Sequence, residues 1–188
     1  MRVYFVRHGQ TDWNKQQRIQ GRTDIPLNEE GITQAEKSAK YFSNELFDLV
    51  VTSPLTRAKQ TAQIIAATNN LPIVEMLQFI EKNYGDIEGL TLEERANRFP
   101  NGQCENQESL EQLIDRIKDG LAHLEANYKG KNIIVVAHGG IINALLAHLS
   151  NGEIGTGKTR LNNACITKII YSKNSWKIES YNEISHLQ

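Results

Sequence analysis

The sequence predicts an α/β protein of three layers, in which helices cover both faces of a central, mainly parallel sheet. Three short apolar runs, at residues 3–6, 49–51 and 133–137, are rich in β-branched side chains and lack alternation. Each is therefore expected to be a strand that is covered on both faces. Helical patterns separate the runs, and strands that alternate with helices favour right-handed crossovers and a parallel sheet.

The remaining elements follow from periodicity and from capping residues. An unbroken apolar stripe at helical spacing covers residues 110–128, and Ser109 with Gln112 has the spacing of a capping box at its start. A further apolar helix is expected after Gly140. Three more strands are expected, the last two around a turn at residues 173–175: residues 72–76, 165–171 and 176–181. At 188 residues the whole chain, 1–188, is expected to form one domain.

Composition excludes several classes of function. Lys and Arg number 21 against 22 Asp and Glu, so the chain lacks the electrostatic footprint of a nucleic-acid-binding protein. No apolar run reaches the length of a membrane helix, and the run before Arg7 is too short for a signal peptide. Cys104 and Cys165 lie far apart without CxxC spacing, which indicates neither a disulfide framework nor a zinc site. The expectation is a cytoplasmic chain with reduced thiols.

Basic side chains follow three of the predicted strands at the point where each strand ends. Arg7 and His8 follow the first strand, Arg57 lies shortly after the second, and His138 follows residues 133–137. Ligands of open α/β sheets bind beyond the carboxyl ends of the strands, so these side chains are expected to converge. One such residue alone is usually solvated. Their coincidence at three strand ends predicts a local site for an anion.

The position of Arg57 is informative by itself. Ser53 is the predicted N-cap of a helix and Pro54 its first residue, which places Arg57 in the first turn. A cation there opposes the helix dipole. Its placement beside amides suited to an anion predicts a bound phosphate or carboxylate, with an external salt bridge as the alternative.

Together with their neighbours, these residues resemble the histidine phosphatase superfamily, in the branch that includes the cofactor-dependent phosphoglycerate mutases. The likeness covers nearly the whole chain in order. The matching segments are Arg7-His8-Gly9-Gln10-Thr11, Trp13-Asn14, Arg18, Gln20-Gly21, Pro26-Leu27, Gly31, Gln34-Ala35, Ser53-Pro54-Leu55-Thr56-Arg57-Ala58, Thr61-Ala62, Glu81, Tyr84-Gly85, Glu88-Gly89 and His138-Gly139-Gly140.

The resemblance implies a role for each matching residue. His8 would be the nucleophile and become phosphorylated, and Glu81 would be the proton donor. Arg7, Arg57 and His138 would hold the phosphoryl oxygens. Further substrate-binding positions would be Asn14, Gln20, Gly21 and Gly139.

Phosphoryl transfer explains why these residue types are needed. The transferred group spreads negative charge over three oxygens, which fixed cations and planar guanidinium forks match. Neighbouring cations lower the pKa of a nucleophilic imidazole and so keep it neutral, and a backbone carbonyl is expected to hold its other nitrogen. These cations replace a metal, so no metal or cofactor is expected, and the expected partner is a small phosphate monoester. Asp86 and Glu88 lie close to Glu81 and stay open as alternative acids.

Two alternatives belong to other classes of protein. Residues 152–159 satisfy the GxxxxGK[ST] pattern of a P-loop NTPase, but they follow a predicted helix and precede a strand, which leaves no room for the helix that a P-loop opens. A non-catalytic phosphate-binding module would be expected to lack the nucleophile or an arginine, whereas both are present here. Neither alternative is favoured.

Within the family, the phosphoglycerate mutases typically carry a long proline-rich insertion after their glutamate, whereas Glu81 continues directly to a short helix. The chain in this region is similar to broad-specificity and α-ribazole phosphatases. We therefore predict a metal-independent phosphomonoester hydrolase of the histidine acid type, with phosphoglycerate mutase as the alternative. Residues 101–109 depart from the phosphatase pattern and are expected to form part of a lid over the leaving group.

Overall fold

The computed structural model describes residues 1–102 and 104–188 as a six-stranded sheet covered by helices. The strands are β1 (Arg2–Arg7), β2 (Leu49–Thr52), β3 (Ile73–Glu75), β4 (Asn132–Ala137), β5 (Ile166–Ser172) and β6 (Ser175–Glu183). The helices are α1 (Asp12–Lys15), α2 (Glu29–Phe42), α3 (Thr56–Asn69), α4 (Leu92–Arg98), α5 (Leu110–Asn127) and α6 (Gly139–Leu149). Short 3₁₀ turns are Leu77–Phe79, Gly85–Ile87 and Ser185–Leu187. The predicted α/β class is confirmed.

The order of strands in the sheet is β3-β2-β4-β1-β5-β6. Strands β3, β2, β4 and β1 are parallel to one another. Strand β5 is antiparallel to β1, and β6 is antiparallel to β5. In the register of this sheet, Arg7 pairs with Ala137, and Thr52 pairs with Val136. The residues that follow β1, β2 and β4 therefore emerge together at one edge of the sheet.

Each face of the sheet packs against its own pair of helices. Val3 and Phe5 belong to a cluster with α5 and α6, whereas Tyr4 and Val6 belong to a cluster with α2 and α3. Successive side chains of a strand point to opposite faces, so a strand buried on both faces needs an apolar residue at every position. This packing explains why the predicted strands show no alternation.

The starts of two helices test the capping predictions. The capping box of Ser109 and Gln112 opens α5 as predicted. The predicted N-cap at Ser53 is wrong, because α3 begins at Thr56 with Leu55 as its N-cap and no side-chain cap from that residue. A carboxylate distant in sequence takes the place of the local cap: Asp24 accepts from the Thr56 amide at 2.8 Å. Residue 57 still lies in the first helical turn.

Residues 152–159, which match the P-loop pattern, form turns after α6 and contain no helix. This arrangement agrees with the sequence argument against a nucleotide site of that type. The turn between β5 and β6 is made by Lys173 and Asn174, both of which have left-handed backbone angles, with φ of 52° and 58°. Within residues 1–102 and 104–188, none of the helices is long and apolar enough to cross a membrane.

Candidate active site

A cavity of about 320 Å³ lies at the carboxyl ends of the parallel strands. All the predicted site residues except His138 line it: Arg7, His8, Asn14, Gln20, Gly21, Arg57, Glu81 and Gly139. The His138 side chain is completely buried, and its ring centroid lies 5.2 Å from that of His8. The convergence of these residues follows from the register of β1, β2 and β4.

The ring of His8 is held from both sides. Its Nδ1 lies 2.7 Å from the carbonyl oxygen of Gly9, and Arg57 Nε donates to its Nε2 at 3.3 Å. A carbonyl oxygen only accepts, so Nδ1 carries the proton and Nε2 keeps its lone pair. Burial, followed by the charges of Arg57 and Arg7, holds the pKa of His8 well below 6.5. The imidazole is therefore neutral, as a nucleophile requires.

The two arginines are fixed by backbone carbonyls. Arg57 donates through Nη2 to Gly21 at 2.6 Å and through Nη1 to Thr23 at 2.9 Å. Arg7 donates through Nη1 to Leu161 at 2.6 Å, and its Nε has no hydrogen-bond partner among residues 1–102 and 104–188. Burial lowers the pKa of both groups from 12.5. Because a guanidinium is not deprotonated in proteins, two rigid cations line the cavity beside His8.

His138 offers a neutral donor. Its Nε2 lies 2.7 Å from Ser53 Oγ, which itself accepts from the Leu55 amide. When the hydroxyl donates to Nε2, the proton of the ring is on Nδ1, and Nδ1 has no partner in the described part of the chain. Burial first, and then the charge of Arg57, holds the pKa of His138 well below 6.5. An unpaired N–H of this kind suits a phosphoryl oxygen.

Glu81 is bound by three backbone amides. Its Oε1 accepts from Lys82 at 2.8 Å and from Ile141 at 3.1 Å, and its Oε2 accepts from Gly140 at 3.0 Å. The carboxylate therefore lies at the N-terminus of α6, where negative charge is favoured by the helix dipole. Nothing in the sequence indicates this capping role, because Gly140 and Ile141 lie 59 and 60 positions after Glu81 in the chain.

The two alternative acids lie elsewhere. Both oxygens of Glu88 accept from backbone amides, including those of Arg22 and Thr23 at 2.9 Å. Asp86 accepts from the amide side chain of Asn106 at 3.0 Å. Neither carboxylate lines the cavity. Of the three acids considered, the structure therefore brings only Glu81 to the site.

The remaining predicted positions form one wall of the cavity. Asn14 Oδ1 accepts from Asn163 Nδ2 at 3.0 Å, and Gln20 Oε1 accepts from Thr11 Oγ1 at 3.0 Å. Gly21 contributes the carbonyl that fixes the buried guanidinium. Gly139 lies beside the Arg7 side chain and opens α6.

Several residues of the site were missed or left undecided by sequence reasoning. Ser53 was assigned a capping role, and nothing in the sequence indicated its bond to His138. Asn163 donates to the carbonyl of His8 at 3.2 Å from a loop that carries no recognisable motif. Of the two aromatic residues in the matching segments, Tyr84 lines the cavity and Trp13 does not. Arg18 and Arg95 line it as well.

The predicted lid lies against the loop that carries the acid. In this segment Gln103 lies outside the described residues. Asn106 Oδ1 accepts from the amide of Asp86 at 3.1 Å, and Cys104 Sγ lies 3.2 Å from the Tyr84 carbonyl. Residues 104–109 therefore pack against the loop at residues 84–86, and their role as a lid stays a prediction. Within the described residues, no group of three or more His, Cys, Asp or Glu could hold a metal ion.

Residues 3–184 match the model of the histidine phosphatase superfamily (branch 1). The chain belongs to this superfamily. It is 49% identical over 185 residues to the uncharacterized phosphatase PhoE of Bacillus subtilis, covering 98% of the chain and 96% of the relative. It is 34% identical to a metal-independent phosphoserine phosphatase of Arabidopsis thaliana, covering 98% of the chain and 82% of the relative.

A solved phosphoserine phosphatase superposes on the whole chain. The phosphoserine phosphatase of Entamoeba histolytica, in complex with 3-phosphoglyceric acid, matches with a TM-score of 0.87 at 30% identity and covers 100% of this chain and 99% of that one. The phosphatases among these relatives support a phosphatase of the superfamily and make the mutase alternative less favoured. The resemblance inferred from the sequence is confirmed.

Proposed function

We propose that this phosphatase is a metal-independent phosphomonoester hydrolase of the histidine acid type that works through a phosphohistidine at His8. The observation that carries the proposal is the state of the His8 ring. Its Nδ1 proton is bound by the Gly9 carbonyl at 2.7 Å, and its neutral Nε2 faces the cavity beside Arg57. A neutral nitrogen nucleophile beside fixed cations is the arrangement that attack on a phosphate monoester needs.

In the first step, Arg57 Nε transfers its hydrogen bond from His8 Nε2 to a phosphoryl oxygen. The lone pair of Nε2 then attacks phosphorus, and the bond from phosphorus to the leaving oxygen breaks. Arg7, Arg57 and the Nδ1–H of His138 stabilise the negative charge on the three non-bridging oxygens. The electron pair of the broken bond goes to the leaving oxygen, which takes a proton from Glu81. The products of this step are an alcohol and a phosphorylated His8.

Glu81 must first acquire that proton. In the structure its oxygens accept three backbone hydrogen bonds, as an ionised carboxylate does. The water that hydrolyses the phosphohistidine returns this proton to Glu81 in each cycle. In the second step the ionised carboxylate takes a proton from water as the water attacks phosphohistidine. Inorganic phosphate leaves, and His8 returns to its neutral form.

The same proposal includes the size and the compartment of the substrate. A cavity of about 320 Å³ is at the lower end of the range for small-molecule sites, which favours a small metabolite. Both cysteines, Cys104 and Cys165, are free thiols, in agreement with a reducing, cytoplasmic environment.

A rapid-quench experiment tests the proposal. With ³²P-labelled substrate, the wild-type protein should yield an acid-labile, base-stable adduct that maps to His8. The His8→Ala variant should form no adduct and lose turnover. His123→Ala is the matched control, because His123 is exposed on α5 and lies outside the cavity. Full activity of His8→Ala would overturn the proposal.

A further inference from the structure

A second cavity, of about 380 Å³, adjoins the first. The two share lining residues, among them Ile19, Tyr84 and Gly140. We call this second cavity the leaving-group chamber, for a geometric reason. In-line transfer places the leaving oxygen opposite His8 and next to its proton donor, Glu81. The amides of Lys82 and Gly140 bind the Glu81 carboxylate, and both of these residues line the chamber.

The charged groups of the chamber are all positive. Lys82 and Arg95 line it, and no aspartate or glutamate does so among the described residues. Neither cation forms a salt bridge within residues 1–102 and 104–188: Lys82 Nζ lies 5.3 Å from the centroid of the Tyr84 ring, and Arg95 donates to the Gly102 carbonyl at 3.3 Å. Both side chains are half-buried.

Two arginines near the chamber, Arg18 and Arg116, differ from these cations because each has a carboxylate partner. Arg18 pairs with Glu94 at 3.2 Å, and Arg116 pairs with Glu108 at 2.6 Å. Two half-buried cations without counter-ions attract a negative group more strongly than cations that are already paired. The chamber therefore favours a leaving group that carries its own negative charge.

The loop at residues 152–159, which matches the P-loop pattern, contributes to the lining of the chamber. Thr156 and Gly157 of that loop line the chamber, and the Thr156 amide donates to the Asn143 carbonyl at 3.2 Å. Gly155 has φ of +99°, and a side chain there would collide with the same carbonyl and lie 2.5 Å from the Ala147 nitrogen. Gly155 thus allows the loop to pack closely on α6, where Asn143 lies.

Asn143 adds a polar group to the chamber. Its side-chain oxygen is buried and has no hydrogen-bond partner in the described part of the chain. A buried acceptor of this kind is costly unless a donor satisfies it. Gln107 and Thr156 are further polar residues of the lining, and its aliphatic side chains are Ile19, Ile87, Leu110 and Leu113. The chamber thus combines cations, one free acceptor and a compact apolar surface.

We infer that the preferred substrates are phosphate monoesters whose leaving group bears a second anionic group, a carboxylate or another phosphate, held by Lys82 and Arg95. A hydroxyl on the same leaving group donates to Asn143. This inference rests on the proposed function, since it needs the leaving group to lie on the side of Glu81. It makes Arg95 a specificity-determining residue.

Matched substrates test the inference. 3-Phosphoglycerate and glycerol 3-phosphate differ chiefly in a carboxylate against a neutral hydroxymethyl group. Wild-type kcat/KM should be about 10-fold or more higher for 3-phosphoglycerate. Glycerol 1,3-bisphosphate distinguishes the two anions: a preference for it over 3-phosphoglycerate identifies phosphate as the second group, and the reverse identifies carboxylate. Equal kcat/KM for all three esters would overturn the inference.

Variants of α4 test the residue. Arg95→Gln should lower kcat/KM for the anionic esters by about 5- to 30-fold, mainly through KM, with a smaller loss for glycerol 3-phosphate. Arg95→Lys should recover part of the preference. Arg98→Gln is the control, because Arg98 is exposed three residues further along the same helix and lies 5.7 Å from the centroid of the Phe99 ring. Parallel losses on all esters would overturn the assignment of Arg95.

The two proposals fail in different ways. Absence of the His8 adduct would refute the proposed function. Formation of the adduct together with equal kcat/KM for anionic and neutral esters would refute only the inference about the chamber.

Discussion

Replacement of Glu81 by Gln separates proton donation from the structural role of this side chain. Glutamine keeps the shape of the side chain but cannot supply a proton to a leaving alkoxide. General acid catalysis contributes roughly 10²–10⁴-fold, or about 2.7–5.4 kcal/mol at about 1.36 kcal/mol for each tenfold change. The phosphorylation step with an alkyl ester should slow by that factor. A nitrophenolate leaves without a proton, so p-nitrophenyl phosphate should be affected much less.

The structure predicts a second effect of the same variant. The Glu81 oxygens accept three amide hydrogen bonds, one on Oε2 and two on Oε1. A glutamine has only one carbonyl oxygen, so its NH₂ group must face at least one amide donor. One buried donor left without an acceptor costs about 1–3 kcal/mol of folding free energy. Urea denaturation of Glu81→Gln measures this loss independently of catalysis.

Pre-steady-state kinetics give the decisive assay. With p-nitrophenyl phosphate, Glu81→Gln should release a burst of nitrophenolate and then turn over slowly, because water has lost its base and phosphoenzyme accumulates. The alkyl ester should show no burst, since its first step is slow. Equal slowing of the first step for both esters would refute the reasoning, and would mean that Glu81 only positions the substrate.

Three further predictions concern stability and cofactors. Ser53→Ala removes the 2.7 Å hydrogen bond to His138, so the free energy of unfolding in urea should fall by about 1–3 kcal/mol; an unchanged value would contradict the bond. Because the pKa values of His8 and His138 lie well below 6.5 when folded, the unfolded chain binds more protons below that pH. The free energy of unfolding should therefore fall as pH drops below 6.5, by up to roughly 1.4 kcal/mol per pH unit for each histidine, and His8→Gln should make this dependence shallower. Exhaustive EDTA treatment should leave turnover intact, and a loss restored by one divalent ion would refute metal independence.

The sequence predictions were right where the deciding interactions are local, and wrong where the partners lie far apart in the chain. The strands at residues 3–6 and 133–137 were found because burial on both faces leaves a local signature, a run of β-branched residues. The start of α3 was misplaced because its first amide is bound by Asp24, which lies 32 residues earlier. Local capping preference has no access to such a partner.

The same distinction applies to the site. The topology of the sheet accounts for the convergence of His8, Arg57 and His138, and the resemblance to a known family supplied Glu81. The three amide bonds that place the Glu81 carboxylate on α6, and the bond from Ser53 to His138, join segments far apart in the chain. Contacts of this range follow from the packed molecule and not from the pattern of residues near either partner.

The pairing of β1 with β4 links the chemistry to the order in which the chain is made. His8 is synthesised before Ala137 and Ala164, yet its amide donates to the Ala137 carbonyl at 3.0 Å, and its carbonyl accepts from the Ala164 amide at 3.3 Å. A nascent chain that ends before these residues contains His8 but lacks the groups that hydrogen-bond to its backbone. Contacts between such distant segments form late in folding. If His8 is phosphorylated as proposed, its labelling should report completed folding: truncated or partly folded chains should remain unlabelled even though they contain His8.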